Sequence, residues 1–465
     1  MLDPLFVNAL EQICGSGSIL TGNALAGQDF GFHPENLGAT CAVRPQSTEQ
    51  VADVLKLCNR FGVSAVPQGG LTGLAGGAVS NAGQIIISSA RLPTEIEIDP
   101  VNRLALVTAG TTLAALDHAA RKHGLCAGID IGARDTATIG GMIATNAGGG
   151  EAFRNGIMRN RVLGLEAVSA TGIIMSDLKR VTKANEGIDV KQLFIGSEGT
   201  LGFITRAVLR LAPAPGICCT FIASFSDTIT ALNMFHALNA MPSARLLRAE
   251  IMWRDYAVET AKALNLQAVL PAPDRAVHVA FEMEPLNGSV DAFLDPLAEQ
   301  LETAGCEDVI VAQNERERNN IWMVREDSWA LEKMFSHNFW YDVSLPHSML
   351  DGYVTRTKDA LQKLHPSIRT FVMGHLGDGN LHLTISGTDE IGELHDAISE
   401  IVYQGIAASG ASFSAEHGIG TDKRSDLGRY GDAGKLQIMR MIKSALDPNG
   451  IMNPGKVITI DIAET

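Results

Sequence analysis

The chain has 465 residues, with 37 Lys and Arg against 52 Asp and Glu, for a formal net charge of −15. At roughly 100–200 residues per domain this predicts two or three domains, and 46% apolar with 19% charged residues excludes a disordered or fibrous chain. The acidic balance argues against nucleic acid or an anionic membrane as main partner, because both reward basic clusters.

Residues 49–62 repeat apolar positions at helical spacing and stop at Gly62. Residues 64–67 read as a short strand, and the glycine-rich run 68–77 follows. Residues 84–88 and 105–109 read as strands, and 111–123 as a capped helix. A second glycine-rich stretch covers 133–150, and 162–175 reads as a hairpin with Gly172 at its turn. Residues 194–211 hold a third glycine loop and two apolar runs. Pro213-Ala-Pro-Gly216 marks a domain boundary. Beyond it come strand 219–225, helix 227–240, strand 277–284, helix 291–304, strand 307–312, strand 370–375, a hairpin, helix 388–409 and strand 412–416. A last helix, about 433–446, stops at Asp447-Pro-Asn-Gly450. The order is that of an α+β protein.

Seven cysteines, odd in number and never spaced Cys-x-x-Cys, speak against a disulfide framework, a thiolate zinc site and an iron–sulfur cluster. No run of about 18 apolar residues spans a bilayer, and an N-terminus with Asp3, Glu11 and no basic stretch is unlike a secretory signal. A reduced cytoplasmic protein is the expectation.

Glycine is the anomaly: 47 residues, in a chain where about 7% is usual, gathered into three loops within the first 205 positions. Glycine lets backbone approach a ligand closely and leaves N–H groups free for phosphate oxygens. The stretch 67–77 suits a pyrophosphate, yet it has neither the Gly-x-x-x-x-Gly-Lys-Ser/Thr of a P-loop nor a Gly-x-Gly-x-x-Gly opening a helix. The competing reading is tight turns at sheet edges. A second constellation is His375-Leu-Gly-Asp-Gly-Asn-Leu-His382. A hairpin about 377–380 would set His375 and His382 opposite one another on one face, with Leu381 and Leu383 on the other. Ser414-Ala-Glu-His-Gly418 adds a carboxylate and an imidazole beside a glycine turn. Two imidazoles and a carboxylate suit Zn²⁺, Mn²⁺ or Fe²⁺; structural histidines in a tight turn are the alternative. Either Glu416 or His417 serves as third ligand on these grounds, leaving the other as base.

Pro67-Gln-Gly-Gly-Leu-Thr-Gly-Leu-Ala-Gly-Gly77, Thr138-Ile-Gly-Gly-Met-Ile-Ala-Thr-Asn-Ala-Gly-Gly149 and Ile195-Gly-Ser-Glu-Gly-Thr-Leu-Gly-Phe-Ile-Thr205 resemble the FAD-binding domain of vanillyl-alcohol-oxidase-type flavoproteins. The C-terminal half resembles the FAD-linked oxidase C-terminal domain of D-lactate, D-2-hydroxyglutarate and glycolate dehydrogenases, so the resemblance covers nearly the whole chain. It implies an FAD domain over 1–213, a substrate domain with the metal site over 214–427, and a segment 428–465 returning to the FAD domain.

The resemblance further implies that Pro67, Gln68, Gly69, Gly70, Leu71, Thr72 and Gly73 cradle the pyrophosphate. Thr136, Thr138, Gly140, Gly141, Ala144, Thr145, Asn146, Gly148 and Gly149, with Glu198, Gly202 and Ile204, would line the rest of the cofactor. Asn453 would return beside the flavin. No histidine occurs between Arg44 and Leu116, so non-covalent FAD is expected. His375, His382 and Glu416 become the metal ligands, His417 the base, Arg325 the clamp on the substrate carboxylate, and Asn380 a substrate or flavin contact. Where the D-2-hydroxyglutarate group carries a threonine after the arginine and a lysine before Tyr-Asp-x-Ser-Leu-Pro, this chain has Trp329 and Trp340. Tryptophan offers one N–H and no cation, so a small or apolar D-2-hydroxy acid such as D-lactate is expected, with D-2-hydroxyglutarate or D-malate as the alternative. An oxygen-using alcohol oxidase of the same fold and a metal-dependent hydrolase are the rival readings. The expected electron acceptor is a quinone, an electron-transfer flavoprotein or a cytochrome, and a homodimer is left open.

Overall fold

The computed structural model describes residues 2–286, 288–306 and 308–459. It divides the chain into two units. One joins Met1–Gly149, Asn155–Ala214 and Glu416–Thr465; the other joins Gly150–Arg154 and Pro215–Ala415. The Pro-rich stretch at 213–216 is thus where the chain leaves the first unit. It re-enters at Glu416 rather than near 428, which puts Glu416 and His417 in the first unit.

In the first unit, helix Thr48–Phe61 forms where the periodicity predicts it. Ser47 accepts from the Gln50 N–H, Gly62 ends the helix at φ 65°, and Val51, Val54, Leu55 and Cys58 fill the buried side. Strands Ile19–Thr21, Cys41–Val43, Ile85–Ser88 and Ala65–Gln68 lie side by side in that order, the last three parallel. A second, antiparallel sheet orders Ile96–Asp99, Leu104–Thr108, Gly202–Arg210, Val162–Ser169 and Ile174–Asp177. The two apolar runs expected in 194–211 are the end of the short helix Lys191–Phe194 and one long strand. Helix Ala433–Leu446 is capped by Asp432. Behind it the buried Lys443 ammonium holds Asp447 and the carbonyls of Thr200 and Met452, fixing the return of the chain beside Ala65, whose carbonyl accepts from Asn453 N–H. The last residues of the expected returning segment, 460–465, lie outside the described residues.

The second unit is built on one antiparallel sheet of strands β1 (Cys219–Phe225), β2 (Ala244–Trp253), β3 (Val277–Pro285), β4 (Val309–Val311), β5 (His337–Ser344), β6 (Arg369–His375) and β7 (Asn380–Gly387). Their spatial order is β4-β1-β3-β2-β6-β7-β5. Glu307, where the expected strand 307–312 begins, is outside the described residues. Helices Arg254–Ala263 and Glu315–Glu326 cover one sheet face, where Ile222, Met252, Tyr256, Ala257, Ala280, Ile321, Trp322 and Phe371 form the core. Two expectations fail here. The long helix 388–409 is a 3₁₀ turn Asp389–Leu394, a helix His395–Tyr403 and a second 3₁₀ turn Ala407–Ser409. Gly405 and Gly410 stand at φ 79° and 72° behind the middle segment, which a continuing helix does not allow. The expected strand 412–416 is a single bridge, Ser344 to Ser412. Among the described residues no helix is long and apolar enough to cross a membrane.

Candidate active site

The three glycine loops of the first unit converge. A Cβ on Gly70 would stand 1.9 Å from the Thr136 carbonyl oxygen, so the first loop lies against the second with room for hydrogen alone. The third loop joins them through Glu198 N–H to the Ala144 carbonyl (2.8 Å) and Gly196 N–H to Ile143 (3.0 Å). Gly199, at φ 72°, packs on the Pro67 ring, 2.8 Å from where its Cβ would be. Among the described residues, four of the seven non-glycine positions with positive φ are Leu71, Asn146, Glu198 and Asn453. All four were singled out from the sequence, and such backbone strain gathers where structure is held for function.

Several of the side chains expected to line a cofactor have partners inside the protein. Gln68 donates to the carbonyls of Asn36 and Ala78. Thr138 caps its helix by accepting from Gly141 N–H, Thr136 and Thr145 donate to the carbonyls of Ala133 and Gly141, and Asn146 accepts from Arg159 N–H. Ile204 is a core residue. Gly140 backs onto Ala109, Gly149 onto the Asp130 carbonyl and Gly202 onto that of Val168. What the loops offer to a ligand is therefore mainly backbone N–H, which is the chemistry of a pyrophosphate cradle. Glu198 does something else: its carboxylate accepts from Ile419 N–H (2.7 Å) and Gly420 N–H (2.8 Å), pinning the turn after Glu416 and His417. Burial lifts its carboxyl above the ordinary range in spite of those two donors. Glu416 Oε1 lies against Gly148, 3.3 Å from the place of a Cβ there.

In the second unit, pairing register lines up the chemistry. One row across the sheet reads Ile222, Ala280, Glu250, His375, Asn380, Ser344. The next row on the same face reads Ser224, His278, Met252, Met373, His382, Asp342. His375 and His382 are thus diagonal neighbours rather than directly opposite, because the hairpin loop is 376–379. They still share a face, and their Nε2 atoms are 3.4 Å apart. His375 Nδ1 is 2.9 Å from Glu250 Oε1. Arg325, in the last turn of Glu315–Glu326, is buried with Nη2 2.7 Å from Glu250 Oε2. Glu250, not its neighbours in sequence, is its partner; Glu326 pairs with Arg248. Burial alone would raise the Glu250 carboxyl, but its contacts with His375 and Arg325 hold it well below the usual carboxylate range.

Two observations mark this face as a place for a ligand. The Arg325 Nε is buried and makes no hydrogen bond among the described residues, and neither do Oδ1 and Nδ2 of the Asn380 amide, which is 2% exposed. Buried polar atoms are rarely left so. Trp340 stands on the same face, two residues from Asp342, and Trp329 opens the short helix Trp329–Glu332; both are about half exposed.

Comparison with known proteins settles the family. Residues 39–177 match the family model described as an FAD binding domain, and 218–457 that of the FAD linked oxidases, C-terminal domain. The chain belongs to the FAD-linked oxidases. It is similar to the mitochondrial D-2-hydroxyglutarate dehydrogenase of Bos taurus, 35% identical over 419 residues, 90% of this chain and 76% of that one. A Schizosaccharomyces pombe chain provisionally named a mitochondrial D-lactate dehydrogenase is 32% identical over 428 residues, 90% of this chain and 81% of that one. Among solved structures, p-cresol methylhydroxylase superposes with a TM-score of 0.74 at 17% identity, over 98% of this chain and 96% of that one. The vanillyl-alcohol-oxidase-type fold stands, and this FAD-linked oxidase is an FAD-dependent oxidoreductase acting on D-2-hydroxy acids.

Sequence reasoning missed two groups in this family member. Glu250 is a lone acid inside a strand of buried neighbours, and that isolation was its available signal. Asp342 is fully buried, accepts from Ala415 N–H at 2.9 Å and lies 4.0 Å from His382 Nδ1.

Proposed function

We propose that the enzyme oxidises a small or apolar D-2-hydroxy acid, D-lactate or a longer aliphatic relative, to the 2-oxo acid. The observation that carries this is a buried arginine whose Nε lacks a partner among the described residues, together with a buried amide whose two polar atoms likewise lack partners among them and which lies on the strand face that bears His375 and His382. A 2-hydroxy acid offers a carboxylate for the first and a polar oxygen for the second. FAD fits the first unit's loops through their bare backbone, and a divalent cation, Zn²⁺ first among candidates, fits the donor chemistry of His375 and His382, with Glu416 as the third ligand. Bound there, FAD would supply the acceptor for the hydride lost from C2, and the cation would supply the Lewis acidity that lowers the pKa of the substrate hydroxyl.

The protein's part is positioning and proton transfer. Arg325 grips the carboxylate in a bidentate fork, which fixes the orientation of C2. Asn380 gives the substrate a hydrogen-bond partner away from water. His417 takes the hydroxyl proton on its imidazole, whose ordinary pKa near 6.5 suits a base at neutral pH. Trp329 and Trp340 meet the substrate tail with apolar surface and a single N–H each. Electrons leave to a quinone, an electron-transfer flavoprotein or a cytochrome, and the compartment assigned is cytoplasmic. A D-2-hydroxyglutarate substrate is the second reading, favoured by the name of the bovine relative. The deciding experiment is kcat/KM for D-lactate, D-2-hydroxybutyrate, D-malate and D-2-hydroxyglutarate with wild type and Trp340→Lys. Our reading expects the monocarboxylates to lead in wild type and the dicarboxylates to gain about tenfold in the variant. A wild-type preference for D-2-hydroxyglutarate overturns it.

A further inference from the structure

We propose that Glu250 is a positioning residue that serves the cation and the substrate at once, by fixing the ring of His375 and the guanidinium of Arg325 with one carboxylate. The proposal rests on the roles given above to those two residues. Glu250 on β2 sits directly across from His375 on β6 in the sheet register. Its Oε1 is 2.9 Å and its Oε2 2.8 Å from His375 Nδ1, and Oε2 is 2.7 Å from Arg325 Nη2. It is 4% exposed, and an isolated carboxylate so buried is costly unless charged donors surround it. A carboxylate accepts only, so the proton of the neutral imidazole goes to Nδ1. Nε2 then presents its lone pair toward His382 Nε2, 3.4 Å away. The same carboxylate holds Nη2 and leaves Nε of Arg325 without a partner among the described residues, available to a substrate carboxylate.

A second observation points the same way. Gly150, which belongs to this unit through the short segment Gly150–Arg154, lies over the pair. A Cβ there would be 2.5 Å from Glu250 Oε1 and 3.7 Å from His375 Nδ1. Only glycine leaves the carboxylate where it is. Gly150→Ala is therefore a way to displace Glu250 without removing it.

The test measures cation affinity without turnover, by equilibrium dialysis of Zn²⁺ against the FAD-loaded protein, alongside KM for D-lactate at saturating Zn²⁺. An amide at 250 both accepts and donates, so Glu250→Gln no longer dictates the tautomer. Glu250→Gln and Gly150→Ala are expected to weaken Zn²⁺ binding by about 10- to 100-fold, the usual effect of losing such a partner, and Glu250→Gln to raise KM as well. His375→Ala is the control for the site itself. If wild type and His375→Ala bind Zn²⁺ alike, the cation reading above fails. If His375→Ala loses Zn²⁺ while Glu250→Gln binds it as wild type does, the role of Glu250 is overturned and the cation site stands. Should Glu250→Gln not fold, ¹⁵N chemical shifts of His375 in the wild-type protein decide: a protonated Nδ1 supports the proposal, and a protonated Nε2 with bare Nδ1 refutes it.

Discussion

Asn380→Leu should make the protein more stable and a worse enzyme. The Asn380 amide is 2% exposed, and neither Oδ1 nor Nδ2 has a hydrogen-bond partner among the described residues. An unpaired buried polar atom costs about 1–3 kcal/mol, and a nearly isosteric apolar replacement removes that cost. With part of the cost relieved by water in the free site, the expected gain is about 1–2 kcal/mol. For a unit of roughly 200 residues, Pro215–Ala415 with its short addition, that is a rise in melting temperature of about 2–8 °C. Leucine also suits the strand Asn380–Gly387. The substrate loses a hydrogen bond to a charged or polarised oxygen, worth about 1.5–3 kcal/mol, so kcat/KM should fall roughly 10- to 150-fold. Differential scanning calorimetry of substrate-free protein and stopped-flow flavin reduction give the two numbers. A variant that melts several degrees lower and turns over normally would refute the reasoning, because the amide would then be serving the fold.

Other consequences follow from the same geometry. His375→Ala and His382→Ala should each lose the bound cation and at least a hundredfold in turnover while remaining yellow, since the glycine loops lie in the other unit; metal analysis and the absorbance near 450 nm check both. Gly70→Ala should yield colourless protein, because its Cβ would meet the Thr136 carbonyl, backbone that cannot swing away; full flavin content would contradict the cradle. His278 is buried beside Ser224, and burial together with the Arg254 charge pushes its pKa down to about 4. Below pH 6.5 the unfolded chain binds a proton that the folded one does not, so stability is complete above that pH and falls until about pH 4. The loss amounts to about 3 kcal/mol, and denaturant titrations at pH 7 and pH 4.5 should lie closer together for His278→Gln.

Periodicity and turn chemistry made helix Thr48–Phe61 and the hairpin carrying His375 and His382 legible, because both depend on residues close in sequence. Glu250 was not legible, since its partner lies 125 positions away and only strand pairing brings them together. The bonds that Gln68, Asn146 and Glu198 make to the backbone of Asn36, Arg159 and Ile419, 32, 13 and 221 positions away, were not legible either, since only the folded chain brings those groups together. The break at Gly405 and the return to the first unit at Glu416 depend on tertiary packing that outweighs local propensity.

The most direct measurement is anaerobic reduction of the bound flavin by paired D- and L-2-hydroxy acids, repeated after removing divalent cations with a chelator. The account predicts bleaching by the D-monocarboxylates alone, lost on chelation and restored by Zn²⁺ or Mn²⁺. Equal bleaching by both enantiomers, or bleaching that survives chelation unchanged, would contradict it.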